Sequence, residues 1–254
     1  MSEDEAMAAA LEWRTTAPEA VLLDGFHALK HALRFDADVR LVLTSDKAAL
    51  RALAEKLAGD VADRLDALAR QVPAEVLRES LAKAPHPTGV AALAVRPSTR
   101  SNLETLNQRP RPTPLVVLDN PRNLGNVGAV IRLAAGFDAT GVITTGDLDP
   151  WHPNAVRASA GLHFATAVER LAPADLPQGP LYVLDPEGED IRSTTIPDDA
   201  LLAFGSERHG VSEQLRAQAT KLLAIPMRPQ VSSFNLATSV AMGLYHWRST
   251  TRHG

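Results

Sequence analysis

The chain has 254 residues, 45% of them hydrophobic and 22% charged, enough apolar side chain for one large core or two modest ones and too patterned for a disordered protein. It contains no cysteine, which excludes a disulfide framework, a thiolate metal or iron–sulfur centre and a cysteine nucleophile. The net charge of −4 excludes a global positive field, so any contact with a polyanion has to be a local patch.

The first residues, MSEDEAMAAALEWR, begin acidic and lack a basic start followed by an apolar run, so no secretory leader is expected. No uninterrupted apolar run reaches membrane-spanning length. The expectation is a cytoplasmic protein with no membrane contact. Residues 20–24 (AVLLD) have the pattern of a short buried strand, 25–34 (GFHALKHALR) that of a helix and 39–44 (VRLVLT) that of a second strand. Two Ala/Leu-rich stretches, 47–58 and 60–71, predict helices, and 89–95 (GVAALAV) a last strand. Together they predict a small α/β domain over residues 1–98. His27 and Lys30 lie about one turn apart on the first of these helices, as RNA contacts or as ordinary surface residues.

Residues 97–114 (PSTRSNLETLNQRPRPTP) carry four prolines and little periodicity, which predicts a linker over 99–112. Its Arg100, Arg109 and Arg111 are candidates for phosphate contact or for plain solvated charge. The alternation then restarts over 113–254. PLVVLD (114–119), GVITTG (141–146), PLYVLD (180–185), ALLAFG (200–205) and KLLAIPM (221–227) read as strands. Helical patterns at 126–137, 153–162, 211–219 and from about 235 to 247 separate or follow them. Strands alternating with helices predict a mainly parallel sheet covered on both faces, with ligands at the C-terminal strand ends.

Three strand ends carry unusual residues. The first runs Asp119-Asn120-Pro121-Arg122-Asn123-Leu124-Gly125-Asn126-Val127-Gly128 into a helix expected to begin near Asn126, with Arg132 six residues on. The second is Gly205-Ser206-Glu207-Arg208-His209-Gly210. The third is Ile225-Pro226-Met227 followed by Ser233-Phe234-Asn235 at the start of an Ala-rich helix. None is a dinucleotide or P-loop fingerprint. Each alone is also what a capped helix or a tight turn looks like. His152 and His163 lack a metal-ligand spacing, and no metal is expected. With 4% aromatic residues there is no base-stacking platform of the single-strand-binding kind.

In this order and spacing, the three segments resemble the three motifs of the SpoU/TrmH family of RNA 2′-O-ribose methyltransferases, within the SPOUT superfamily. Asn126 to Arg132 matches Asn-x-Gly-x-x-x-Arg, and Gly205 to Gly210 matches Gly-x-Glu-x-x-Gly. Ile225-Pro226-Met227 with Ser233-Phe234-Asn235 matches the third motif, with Phe234 in place of the usual Leu. Val156 to Gly161 is also similar to the family's region between its first two motifs, and the likeness covers roughly residues 114–247. The stretches 24–29 and 86–90 resemble the substrate-binding domain attached to many members.

The resemblance implies an α/β SPOUT domain with a parallel sheet and a deep trefoil knot, behind a smaller N-terminal α/β RNA-binding domain. It implies S-adenosylmethionine as cofactor, lined by Gly205, Ile225, Met227 and Phe234. It implies a catalytic set of Arg132, Asn126, Glu207, Ser233 and Asn235. Arg132 would clamp the phosphate beside the target ribose, because a guanidinium is a poor base. A homodimer acting on RNA is implied, with ribosomal RNA ahead of transfer RNA. A non-catalytic RNA-binding or assembly protein and a base-methylating relative are the competing readings.

Overall fold

The computed structural model describes residues 3–81 and 86–250, leaving the first two residues of the acidic start outside it. The chain divides into two compact units, Met1–Pro97 with Ala160–Ala165, and Ser98–Ser159 with Thr166–Gly254. No helix among the described residues is long and apolar enough to cross a membrane.

The first unit runs α1 (Glu3–Thr16), β1 (Ala20–Asp24), α2 (Phe26–Arg34), β2 (Val39–Thr44), α3 (Lys47–Leu57), α4 (Ala62–Leu68), β3 (Ala69–Gln71), α5 (Ala74–Ser80) and β4 (Val90–Val95). Its sheet has the order β1-β4-β2-β3, antiparallel at β1/β4 and β2/β4 and parallel at β2/β3. The helix expected over 60–71 stops at Leu68. From Ala69 the backbone is extended and pairs with β2, and Val72 N donates to Thr44 O, so strand pairing overrides helical periodicity there. The acidic start is a helix held by Trp13, which is 2% exposed and donates its indole N–H to Ser80 O of α5. Trp13 packs with Ala9, Leu41, Leu43, Leu77 and Leu93 in this unit's core.

The second unit runs α6 (Thr99–Leu106), β5 (Leu115–Leu118), α7 (Leu124–Gly136), β6 (Gly141–Thr144), α8 (Pro153–Ala158), β7 (Ala167–Arg170), β8 (Leu181–Asp190), β9 (Leu201–Phe204), α9 (Glu213–Gln218), β10 (Lys221–Ala224) and α10 (Leu236–Thr250). Its six strands pair in the order β10-β8-β9-β5-β6-β7, every pair parallel. The runs LVVL, GVIT and LLAF are buried along their whole length, as strands covered on both faces must be. From β5 the chain winds outward through β6 and β7, then returns to lay β8, β9 and β10 on the other side. The gap between β5 and β9 is therefore the sheet's switch point, and the loops leaving those strands flank a crevice.

The segment expected as a linker contains α6, capped by the Ser98 hydroxyl accepting from Ser101 N. Its sequence shows little periodicity because one buried position is Asn102, whose amide donates to Val168 O and to the Glu169 carboxylate. Arg111, expected as a possible phosphate contact, is only 2% exposed and donates to the carbonyls of Gln178 and Asp199. Burial pulls its guanidinium below the ordinary arginine value, and Arg109 pushes the same way. It is a structural arginine.

Candidate active site

β9 ends at Phe204, and the five residues after Gly205 fold back on themselves. Ser206 and Gly210 exchange two backbone hydrogen bonds of 3.0 Å, closing the turn. A Cβ on Gly205 would stand 2.0 Å from the Gly210 carbonyl carbon, so only glycine lets the two backbones touch. This turn lifts Glu207 to the surface over the strand end.

The first motif approaches Glu207 from the β5 side. The helix α7 starts one turn earlier than its sequence suggests. Asn123, not Asn126, is the cap, its Oδ1 accepting from Asn126 N at 3.0 Å. Asn126 is thereby relieved of capping and its side chain points elsewhere. Its Nδ2 donates to Glu207 Oε1 at 2.7 Å, while Glu207 Oε2 accepts from Arg122 N at 3.4 Å.

The third motif closes the cluster. Asn235 caps α10, its Oδ1 accepting from Ala237 N at 2.9 Å and Thr238 N at 3.3 Å. That fixes which way its amide faces, so Nδ2 donates to Asn126 Oδ1 at 3.1 Å. The hydrogen bonds thus run in one direction, from Asn235 through Asn126 to Glu207, and end on an acceptor. Asn235 is a cap and a site residue at once, and the first role sets the second.

Beside this cluster opens a cleft of about 510 Å³. Leu184, Pro186 and Phe234 give it an apolar wall, and Ser206, Glu207 and Ser233 a polar one. Phe234 keeps 40% of its surface exposed, unusual for a phenylalanine in a concave site. Gly205 and Asn235 also line the cleft, whereas Ile225 and Met227 are half-buried just beyond β10 and are not among its lining residues. The size and mixed lining suit an organic ligand with one apolar and one polar part.

Sequence reading missed what holds the cleft's far wall. Between Val183 and Glu189 the β8 strand bows outward, and β10 shifts its register on β8 across that bow, between Leu222 and Leu223. Arg216 of α9 pins the bow by donating to the carboxylates of Asp185 and Glu187. Those contacts, the hydrogen bond to Glu187 foremost and then the charge of Asp185, hold its guanidinium above the ordinary arginine value. Nothing in the sequence near Arg216 marks it, because its partners lie 31 and 29 residues away.

Arg132 stands apart from the polar cluster. It is exposed on α7 and, among the described residues, forms no ion pair. It borders a second groove of about 600 Å³, formed with Ala129, Leu133 and Phe137 on its own helix side and Thr238 and Ala241 of α10. Of the five residues expected to act together, Asn126, Glu207 and Asn235 are joined by hydrogen bonds. Ser233 lines the same cleft, and Arg132 opens onto the next one. His152 caps α8, its Nδ1 accepting from Asn154 N.

Comparison with known proteins gives the chain's family and fold. The family described as the SpoU rRNA Methylase family matches residues 113–245. The "Ribosomal RNA small subunit methyltransferase G 2" of Syntrophobacter fumaroxidans is 38% identical over 145 residues, 55% of this chain and 28% of that protein. The chain spans about half the length of several other curated relatives. The "23S rRNA (guanosine(2553)-2'-O)-methyltransferase RlmP" of Bacillus subtilis is 25% identical over 92% of this chain and 90% of its own. Among solved structures, the SpoU methyltransferase AviRb of Streptomyces viridochromogenes in complex with AdoMet superposes with a TM-score of 0.75. It is 24% identical, over 96% of this chain and 99% of that one, which establishes the shared fold.

Proposed function

The chain belongs to the SpoU rRNA Methylase family, and from that premise we propose that it transfers a methyl group from S-adenosylmethionine to a ribose 2′-hydroxyl in RNA, ribosomal RNA before transfer RNA. The observation that carries this reading is the directed chain Asn235–Asn126–Glu207 at the rim of the 510 Å³ cleft. It presents a carboxylate whose geometry is fixed before any substrate arrives. The lining suits the cofactor: Leu184, Pro186 and Phe234 would hold its apolar part, and Gly205 and Ser206 its polar part. Bound there, S-adenosylmethionine supplies an electrophilic methyl on a sulfonium.

The chain's own residues do the rest. Glu207 and Ser233 hold and orient the ribose hydroxyl, and the amides of Asn126 and Asn235 keep Glu207 from swinging. Such positioning is worth up to about 7–11 kcal/mol of barrier when geometry is near ideal. Arg132 takes the phosphate next to the ribose. Its positive charge also favours the deprotonated hydroxyl.

Three finer parts belong to the same proposal. The segment after β10 passes through the β8 bow as a trefoil knot; the register shift at Leu222/Leu223, which leaves 184–188 of β8 unpaired with β10, supports this. The unit containing Met1–Pro97 binds the RNA. The protein works as a homodimer, supported by the apolar groove along α7 and α10 beside Arg132. The test is to incubate the full chain with methyl-labelled S-adenosylmethionine and ribosomal RNA from cells lacking the protein. Nucleoside mass spectrometry then identifies the product. A 2′-O-methylated nucleoside is expected, and label found on a base, or no transfer, overturns the proposal.

A further inference from the structure

A smaller cleft of about 320 Å³ lies on the other side of the Gly205–Gly210 turn, and the methyl-transfer reading gives it no task. Ser206 and Gly210 line both clefts, so one turn is the partition between them. This second cleft sits over the C-terminal ends of β5 and β6, at the edge of the switch point, where parallel sheets bind ligands.

Its lining is chemically specific. Asn120, His209, Ser212 and Gln214 offer an imidazole, a hydroxyl and two amides, with no lysine or arginine among them. The one carboxylate, Asp119, is already used. Its Oδ1 accepts from the Thr145 hydroxyl and its Oδ2 from Ser212 N, both at 2.7 Å. Thr145 Oγ1 in turn accepts from Asn120 N at 2.9 Å. Those bonds lock the Asn120 backbone in a left-handed conformation with φ 48°, which asparagine tolerates better than most residues. The Asn120 amide then lies over Gly146, where a Cβ would stand 2.3 Å from its Oδ1. Among the described residues that amide has no hydrogen-bond partner. A strained backbone, an absent Cβ and a buried carboxylate all fix one free amide at the cleft.

A pocket without lysine or arginine does not suit a phosphate, and one with no free carboxylate does not suit an amine. Neutral amides with paired donor and acceptor are what read the edge of a heterocyclic base. We propose that this second cleft receives a nucleobase of the RNA substrate, the target base or its neighbour, with Asn120 and Gln214 reading its edge. The inference rests on the methyl-transfer reading above and adds a specificity determinant to it. The base would sit on one side of the Gly205–Gly210 turn while the cofactor occupies the other.

The test uses the full chain with Asn120→Asp and Gln214→Ala, assayed on ribosomal RNA from cells lacking the protein. Asn120→Asp keeps the size and the tolerance of a left-handed backbone but replaces the amide's donor with an acceptor. Calorimetry with S-adenosylmethionine alone is run alongside. Each variant should lower kcat/KM on RNA by about tenfold, the scale of one lost base-edge contact, while cofactor affinity stays within about twofold. Wild-type kcat/KM in both variants overturns the base assignment and leaves methyl transfer standing. Equal losses of cofactor affinity and turnover also overturn it, because they mark a structural role through the shared turn. A wild-type protein that binds cofactor but methylates no RNA overturns the methyl-transfer reading, and the base assignment with it.

Discussion

The two clefts that meet at α10 are built on opposite terms. In the one beside Glu207, every polar group of the Asn235–Asn126–Glu207 chain finds its partner within the same molecule. In the groove beside Arg132, a charged group faces solvent among alanines and a phenylalanine, and no carboxylate meets it among the described residues. The first arrangement is finished before a ligand binds and can orient reacting groups without reorganising. The second is finished only when an anion or a second protein surface arrives. Preorganisation and incompleteness stand one turn of helix apart, since Asn235 and Thr238 both belong to the start of α10.

The largest effect should come from the incomplete side. Arg132→Ala is expected to lower methyl transfer to RNA by about a hundredfold or more, the loss seen when a single electrostatic contact to the developing charge is removed. Cofactor affinity, read by calorimetry, should stay within about twofold, because Arg132 does not line the cleft proposed for the cofactor. A large loss of cofactor binding would erase the distinction between the two clefts. Gly205→Ala attacks the finished side. Its Cβ collides with the Gly210 backbone, so the turn must shift. The expected cost is roughly 1–3 kcal/mol of stability, the range for overpacked sites, with cofactor affinity falling in parallel. Thermal unfolding and calorimetry on the same sample check both. An unchanged melting temperature with intact cofactor binding would show that the turn is softer than its geometry says.

Much of this arrangement was legible in the sequence, and the part that was not has a common cause. The strands LVVL, GVIT and LLAF could be read because burial on both faces demands continuous apolar runs. The site segments could be found because they sit at strand ends. What failed were inferences needing a partner far along the chain. Asn123 and Asn126 compete for one cap, and only the 81-residue contact from Asn126 to Glu207 makes sense of Asn126's release from it. The helix α6 looked like linker because its packing depends on Asn102 reaching Val168 and Glu169. Arg111 was open to phosphate contact or solvated charge, and neither holds, because its carbonyl partners lie 67 and 88 residues away.

The polarity of the hydrogen-bond chain can be tested without disturbing the cap. Asn235→Asp keeps an oxygen for Ala237 N and Thr238 N, and aspartate caps helices about as well as asparagine, so stability should change by under about 0.5 kcal/mol. The substitution replaces the donor facing Asn126 Oδ1 with an acceptor. Asn126 then turns its amide to donate back, and Glu207 loses its 2.7 Å partner. Turnover should fall by about tenfold with the melting temperature preserved, the value of one misplaced charge-assisted hydrogen bond. Unchanged turnover would mean that Glu207 needs no orienting and that the cleft is less finished than it looks.

The smallest expected effect lies at the far wall, where the finished cleft depends on an ion pair instead of an amide chain. Arg216→Met removes both contacts to the β8 bow. Asp185, whose side chain is 7% exposed, is then left with Glu187 N as its remaining donor. A buried acceptor deprived of its partner costs roughly 1–3 kcal/mol, whereas replacing both partners by apolar groups of similar shape can be nearly free. Arg216→Met alone should therefore destabilise the chain and weaken cofactor binding about threefold through a looser Pro186, a shift on the scale of under 1 kcal/mol. Adding Asp185→Leu, an apolar residue of similar size, should return most of the stability while cofactor affinity stays weak, because the bow is still unpinned. Recovery of both together would show that the ion pair acts only on folding, and that the apolar wall of the cleft holds its shape without Arg216.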